Sequence, residues 1–141
     1  MRVVLDCSVA INWCMPDEQN AYRRLLATLN ARRIEVIVPD IWWMEIINVL
    51  WVAKRRSRTS PDETRNALTF LRSIPLVITS TIADATLDRT LALSRQHNLA
   101  AYDTAYLELA LREQVLLATI DTRLSEVARS LEILLEDPII Q

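Results

Sequence analysis

The sequence contains no glycine, although average usage of about 7% would give roughly ten in a chain of 141 residues. A phosphate-binding P-loop, a dinucleotide-binding fingerprint, a nucleophile elbow and a standard calcium loop all require glycine. These four kinds of site are therefore excluded. The helices must end on asparagine, on arginine or by fraying, and Asn30 and Asn98 are the candidates for the left-handed conformation that glycine usually adopts there.

Histidine and cysteine are also scarce. With His97 as the single histidine, a zinc site or a histidine-based catalytic centre has little support. Cys7 and Cys14 are seven residues apart, which is the spacing of neither a redox pair nor a zinc pair. We interpret them as two small buried side chains of a protein in a reducing compartment.

An excess of positive charge and a membrane-spanning segment are missing as well. The 16 Lys and Arg against 18 Asp and Glu give a net charge of −2, so nucleic-acid binding would need a local basic patch. The longest apolar stretch, residues 41–53, is interrupted by Glu45 and Asn48 and is too short to cross a bilayer. We expect one soluble cytoplasmic domain spanning residues 1–141, with no membrane association.

Short apolar runs alternate with longer helical patterns along the whole chain. Such runs are typical of parallel strands covered by helices on both faces. The segment from Ser60 to Glu63 has the pattern of a capping box that starts a helix. The alternation predicts an α/β fold, a three-layer domain with a central parallel sheet of about five strands. The five predicted strands are residues 3–5, 36–38, 76–78, 116–118 and 133–135.

Four acidic residues follow these strands. Asp6 ends the first strand, Glu45 lies early in the helix after the second, and Asp121 comes directly after the fourth. Asp103 opens a helix after the apolar segment 99–101. Because active sites of parallel sheets form beyond the carboxyl ends of the strands, we expect the four carboxylates to lie together.

Three of these residues also have a simpler interpretation. Asp103 and Asp121 have the sequence positions of helix N-caps, and Glu45 has the option of a buried salt bridge with a distant arginine. Asp40 we interpret only as the cap of the helix that begins at Ile41. The joint placement of Asp6, Glu45, Asp103 and Asp121 at one edge favours function over these alternatives.

Four neighbouring carboxylates cannot all be ionised in a dry site without counterions. One or two Mg²⁺ or Mn²⁺ ions would neutralise them, since hard cations take oxygen ligands. Without metal, at least one carboxyl pKa should be raised by its neighbours. Such a site suits phosphodiester hydrolysis.

Four segments in order, residues 3–13, 38–48, 99–110 and 117–124, resemble those of the PIN domain, and specifically of the VapC-type toxins of toxin–antitoxin pairs. The resemblance covers essentially the whole chain. The third segment, with Tyr102-Asp103-Thr104-Ala105, is the most diagnostic. The chain departs from the family at Asn12, where many relatives carry lysine, and in the missing glycines around Ala31 and Arg58.

The resemblance implies an endoribonuclease that depends on Mg²⁺ or Mn²⁺ and leaves a 3′-hydroxyl and a 5′-phosphate. It implies two partners besides the RNA substrate: a cognate antitoxin that neutralises the toxin, and a second copy in a homodimer. The resemblance assigns catalysis and metal binding to one set of residues, supported by two hydroxyls. The catalytic and metal-binding set is Asp6, Glu45, Asp103 and Asp121, and the supporting residues are Ser8 and Thr119.

Contacts with RNA are expected from two places in the sequence that carry basic residues. Lys54, Arg55 and Arg56 end the Glu45 helix, roughly 15 Å from Glu45, so they suit the RNA backbone rather than the chemistry. Their alternative role is to complement the negative end of the helix dipole. Arg123, close after Asp121, is the better candidate near the scissile phosphate.

The Glu45 helix also carries more apolar side chains than one sheet face can cover. About half of them suit the core, and the remainder suggests an interface with a partner. The set is Trp42, Trp43, Ile46, Ile47, Leu50 and Trp51.

Two other functions stay open on the residues alone. A metal-dependent phosphatase with an aspartyl nucleophile would usually have a second aspartate two residues after Asp6, where this chain has Ser8. A non-catalytic binding module that retains the fold would show negligible metal affinity and no activity for Asp6→Asn to remove.

Overall fold

The computed structural model describes residues 1–15 and 21–137, which form four strands and seven helices. The strands are β1 (Arg2–Leu5), β2 (Glu35–Pro39), β3 (Leu76–Thr79) and β4 (Leu116–Ala118). The helices are α1 (Cys7–Cys14), α2 (Arg23–Asn30), α3 (Trp42–Arg55), α4 (Pro61–Arg72), α5 (Asp84–His97), α6 (Ala101–Glu113) and α7 (Thr122–Ser130).

The four strands form one parallel sheet in the order β3-β2-β1-β4. In the central strand β1, Val3, Val4 and Leu5 are fully buried, so both faces of the sheet are covered there. This confirms the predicted α/β fold with a central parallel sheet. The predicted fifth strand is reduced to a single parallel bridge between Leu117 and Leu134.

Left-handed residues replace glycine at the ends of several helices. Asn98, with a φ of 52°, closes α5 as predicted. Asn30 was expected in the same role, but it is the last residue of α2, and Arg32 takes the left-handed conformation instead. Ser57 also takes the left-handed conformation, next to Arg58, the second place where the sequence lacks the family's glycine. Polar and charged side chains therefore accept a backbone strain at these turns that glycine would avoid.

The predicted capping box is present at the start of α4. The Ser60 side chain accepts the Glu63 backbone N–H, and the Glu63 side chain accepts the Ser60 backbone N–H. The predicted role of Asp40 is wrong, because α3 begins at Trp42 and its N-cap residue is Ile41, with no side-chain cap. The Asp40 carboxylate instead accepts the Thr81 hydroxyl at 2.6 Å and the Thr81 N–H at 3.2 Å. These residues meet because β2 and β3 are parallel neighbours that end side by side.

Helix α3 divides its apolar side chains between the core and the surface. Trp42, Ile46 and Leu50 recur at every fourth position and are buried. Ile47 and Trp51 lie on another face and are exposed, Trp51 to 55%. The predicted division between core and surface side chains is therefore present. Within the described ranges, no helix is long and apolar enough to span a membrane.

Candidate active site

Asp6 lies at the carboxyl end of β1 and is 4% exposed. Its backbone N–H donates to the Ala118 carbonyl of β4 at 3.0 Å, which ties the residue to the sheet edge. Its Oδ2 atom accepts two hydroxyl protons, from Ser8 at 2.6 Å and from Thr119 at 2.7 Å. Burial raises the pKa of Asp6, whereas the two hydroxyls lower it.

Ser8 and Thr119 also join the segments that follow β1 and β4. The Ser8 hydroxyl accepts the Ile120 N–H at 3.2 Å, and the Thr119 hydroxyl accepts the Asp121 N–H at 3.1 Å. Each hydroxyl thus donates to Asp6 and accepts from the backbone after β4. The two residues expected to support the site are placed where they fix the carboxylate of Asp6 relative to Asp121.

Asp121 caps a helix, whereas Asp103 does not. Asp121 is the N-cap of α7, and its Oδ1 accepts the Leu124 N–H at 2.8 Å. Asp103 lies in the first turn of α6 but makes no cap, because the N-cap residue is Ala100. Burial, followed by the charges of Asp121 and Asp6, raises the pKa of Asp103. The half-buried Asp103 thus has no helix-capping role to account for it.

Glu45 lies in the first turn of α3 and is half-buried. Its Oε1 accepts the hydroxyl proton of Tyr106 at 2.5 Å. Burial raises the pKa of Glu45, and the charges of Asp6 and Asp103 raise it further, against the lowering effect of Tyr106. No arginine or lysine of the described chain lies within ion-pair distance of Glu45. The alternative interpretation, a buried salt bridge with a distant arginine, is therefore not found among these residues.

The four carboxylates are close enough for their charges to affect one another. Asp121 raises the pKa of Asp6, and both Asp6 and Asp121 raise that of Asp103. Asp6 and Asp103 in turn raise the pKa of Glu45. The topology therefore brings residues from four separate elements to one edge of the sheet, as the positions of the strands predict.

This donor set has the chemistry that a hard divalent cation requires, namely several carboxylate oxygens. Among the described residues, no lysine or arginine forms an ion pair with any of the four. The side chains do not themselves form a coordination sphere. In residues 1–15 and 21–137, no group of three histidine, cysteine, aspartate or glutamate side chains is arranged to hold a metal ion. The four carboxylates, called the quartet from here on, are thus neighbours, but their oxygens would have to move closer together to coordinate a cation.

Sequence reasoning missed Tyr106 and gave Cys7 no role in the site. Tyr106 is fully buried in α6, three residues after Asp103 and hence on the same side of the helix. Burial raises the pKa of both the Tyr106 hydroxyl and the Cys7 thiol, so both remain protonated at neutral pH. The available signal was the tyrosine itself, because a buried phenol needs a hydrogen-bond partner.

The basic residues predicted to contact RNA lie apart from the carboxylates. Lys54 and Arg55 are in the last turn of α3 and Arg56 follows them, all exposed. Lys54 is nine residues from Glu45, or about 14 Å along the helix axis. The Arg123 guanidinium donates to the His97 carbonyl at 2.9 Å, at the carboxyl end of α5. The structure does not bring any of these side chains against the quartet.

The family model of the PIN domain matches residues 3–130. The chain belongs to the PIN domain family. The match includes all four strands except the first residue of β1, and it contains Asp6, Glu45, Asp103 and Asp121. No curated protein matches the sequence.

Solved structures share the PIN fold at low sequence identity. VapBC2 from Rickettsia felis, bound to a DNA fragment from their promoter, superposes with a TM-score of 0.65 at 18% identity, covering 96% of this chain and 98% of that one. PAE2754 from Pyrobaculum aerophilum gives 0.64 at 17%, covering 89% and 78%. A toxin–antitoxin complex from Klebsiella pneumoniae gives 0.55 at 20%, covering 85% and 87%.

Proposed function

We propose that this PIN domain is an endoribonuclease that depends on Mg²⁺ or Mn²⁺. The observation that carries the proposal is the meeting of Asp6, Glu45, Asp103 and Asp121 at one edge of the sheet, without a protein cation in the described chain. A structural cluster of this kind would be destabilised by its own charge. A divalent cation removes that repulsion and gives the cluster a catalytic use.

Each residue has a task in the proposed reaction. Asp6 and Asp103 are the principal metal ligands, and Glu45 and Asp121 complete the set or orient the attacking water. When bound, the cation supplies Lewis acidity and balances the charge of the phosphodiester. Ser8 and Thr119 hold one oxygen of Asp6, so its orientation is set before any ligand arrives. The expected products are a 3′-hydroxyl and a 5′-phosphate.

RNA is proposed as the substrate because of the resemblance to VapC-type toxins, since carboxylates and metal can cleave either nucleic acid. The exposed Lys54, Arg55 and Arg56 suit the phosphate backbone at a distance from the cut. Arg123 is proposed to contact a phosphate nearer to the site. Its guanidinium would exchange the His97 carbonyl for that phosphate.

We further propose that the nuclease is the toxin of a toxin–antitoxin pair, active in the cytoplasm. Two of the structures that share its fold are described as VapBC2 and as a toxin–antitoxin complex. The exposed Met44, Ile47 and Trp51 of α3 leave apolar surface for partners. The proposed partners are a cognate antitoxin and a second copy of the chain.

The test is cleavage of labelled single-stranded and structured RNA by protein free of antitoxin. Mg²⁺, Mn²⁺ and EDTA are compared, and Asp103→Asn is prepared identically. The proposal predicts cleavage that requires the metal and that disappears in the variant. End-group analysis should find 5′-phosphates on the products.

Folded protein that cleaves no RNA and binds no Mn²⁺ would contradict the proposal and favour a non-catalytic binding module. Release of phosphate from small monoesters without RNA cleavage would favour the phosphatase. Cleavage that persists in EDTA and in Asp103→Asn would indicate a contaminating nuclease.

A further inference from the structure

Tyr106 is a buried tyrosine that hydrogen-bonds one of the four carboxylates. Its hydroxyl donates to Oε1 of Glu45 across 61 positions of sequence, from α6 to α3. Its side chain is fully buried and belongs to the hydrophobic core, so surrounding side chains fix the position of the ring. A fixed ring in turn fixes the position of the hydroxyl, because the phenol oxygen lies in the plane of the ring.

This hydrogen bond restrains the most flexible member of the quartet. Glu45 has one more rotatable side-chain bond than an aspartate, and the described chain offers it no ion pair. Asp6 is held by two hydroxyls and Asp121 by its helix cap. For Glu45, the hydrogen bond from Tyr106 restrains Oε1, whereas Oε2 accepts no side-chain hydrogen bond from the described residues.

We propose that Tyr106 is a positioning residue for the metal site, which holds Glu45 so that its second oxygen faces the other carboxylates. The inference rests on the proposed function, because it assigns Glu45 to the metal. Tyr106 neither contacts the metal nor exchanges a proton with the substrate. Its effect should therefore appear in metal affinity and should depend on Glu45.

The test is a double-mutant cycle on Mn²⁺ affinity, measured from the free Mn²⁺ signal in electron paramagnetic resonance. Tyr106→Phe retains the ring and removes only the hydroxyl. Residues that hydrogen-bond a metal ligand typically contribute 10- to 100-fold to metal affinity, so we expect Tyr106→Phe to weaken Mn²⁺ binding roughly tenfold. In a Glu45→Ala background, we expect the same substitution to have no further effect, because both the metal ligand and the acceptor of the hydrogen bond are gone.

Tyr22→Phe is the matched control. Tyr22 is also buried, but its hydroxyl donates to backbone carbonyls, those of Leu135 at 2.6 Å and Thr119 at 3.2 Å. We expect Tyr22→Phe to lower thermal stability and to leave Mn²⁺ affinity unchanged. Equal weakening by Tyr106→Phe with and without Glu45 would overturn the proposal, since it would indicate a general structural effect.

A second measurement keeps the Tyr106 hydroxyl, and so does not depend on the folding of a Tyr106→Phe variant. Fluorotyrosine labels the three tyrosines of the chain for ¹⁹F NMR. We expect Mg²⁺ to shift the Tyr106 resonance more than that of Tyr22, and the shift to vanish in Glu45→Ala. A Tyr106 resonance that ignores Mg²⁺ in protein that binds the metal would refute the positioning role.

These outcomes separate the two proposals. Wild-type protein that binds Mn²⁺ and cleaves RNA, with Tyr106→Phe equal to it in affinity, would overturn the role of Tyr106 alone. Folded wild-type protein that binds no Mn²⁺ would overturn the proposed function and this inference with it.

Discussion

Two regions of the molecule bury carboxylates and stabilise them in opposite ways. Glu108 of α6 is 1% exposed and is held by two arginines, Arg89 of α5 at 3.1 Å and Arg112 of its own helix at 3.0 Å. The second region is the quartet of Asp6, Glu45, Asp103 and Asp121. Hydroxyl groups donate to Asp6 and Glu45, and Asp121 caps a helix, but no arginine or lysine of the described chain pairs with any of the four.

We take this difference to separate a structural carboxylate, Glu108, from the carboxylates of the proposed site. The Glu108 charge is balanced within the fold, and its ion pair with Arg89 joins α5 to α6. The charges of the quartet are not balanced by the fold, and burial together with mutual repulsion raises the pKa of Asp6, Glu45 and Asp103. A cluster with raised carboxyl pKa values and no protein cation is a candidate site for a bound cation.

The largest expected effect is on activity. Asp6→Asn should lower the rate of RNA cleavage by more than about a hundredfold, because metal-ion catalysis contributes several kcal/mol and each 1.36 kcal/mol is a factor of ten. The measurement is single-turnover cleavage at saturating Mg²⁺. Cleavage at the wild-type rate would remove Asp6 from the catalytic set.

The matched change in the other region should affect stability instead. Glu108→Gln leaves two arginines around a neutral side chain, and breaking a buried ion pair costs about 3–5 kcal/mol. We expect a decrease at the lower end of this range, because Arg89 is about half exposed. Urea denaturation gives the free energy of unfolding, and folded Glu108→Gln protein should cleave RNA as the wild type does. A loss of cleavage in the folded variant would show that Glu108 is not purely structural and also supports the site.

Asp103→Asn should raise the stability of the metal-free protein. The amide removes a charge that is destabilised by burial and by Asp121 and Asp6, so we expect the melting temperature in EDTA to increase by a few degrees. The pKa of Asp103 is raised in the native state, so the native state retains a proton that the unfolded chain has lost. Between the ordinary aspartate pKa and this raised pKa, stability therefore falls as the pH rises, and the full cost of the charged form is present above the raised pKa.

The stabilisation by Asp103→Asn should accordingly be largest near pH 7.5 and should shrink as the pH falls towards the ordinary aspartate value of about 4. Thermal melts at several pH values in EDTA test the sign. A variant that is less stable than the wild type at pH 7.5 would show that the Asp103 charge is balanced after all.

The smallest effect concerns a turn outside both regions. Gln114 closes α6 with a φ of 55°, a conformation that costs a side-chain-bearing residue about 1 kcal/mol relative to glycine. Gln114→Gly should therefore stabilise the protein by about 0.5–1 kcal/mol, less the extra entropy of an unfolded glycine. Gln114→Ala is the control and should bring no such gain in urea denaturation.

The sequence predicted the features that depend on local pattern. Apolar runs located the strands, and the ends of two adjacent strands, β1 and β4, placed Asp6 and Asp121 at one edge. The capping box at Ser60 is likewise a local signal, complete within four residues. In each case the interaction lies within one element or follows from parallel neighbours.

The features that were missed depend on contacts between distant elements. Asp40 binds Thr81 rather than its own helix, and Tyr106 binds Glu45 from another helix. The balancing of Glu108 by Arg89 also required the packing of α5 against α6. No pattern along one element specifies such pairs, because their residues are 19 to 61 positions apart.

The most direct test of a metal site at this edge is a titration of Mn²⁺ into wild-type protein, Asp103→Asn and Glu108→Gln by calorimetry. We expect the wild type and Glu108→Gln to bind Mn²⁺ with similar affinity and Asp103→Asn to bind it at least tenfold more weakly. Folded wild-type protein that binds no Mn²⁺, or an Asp103→Asn variant that binds it as tightly, would contradict the claim that this edge of the sheet is completed by a divalent cation.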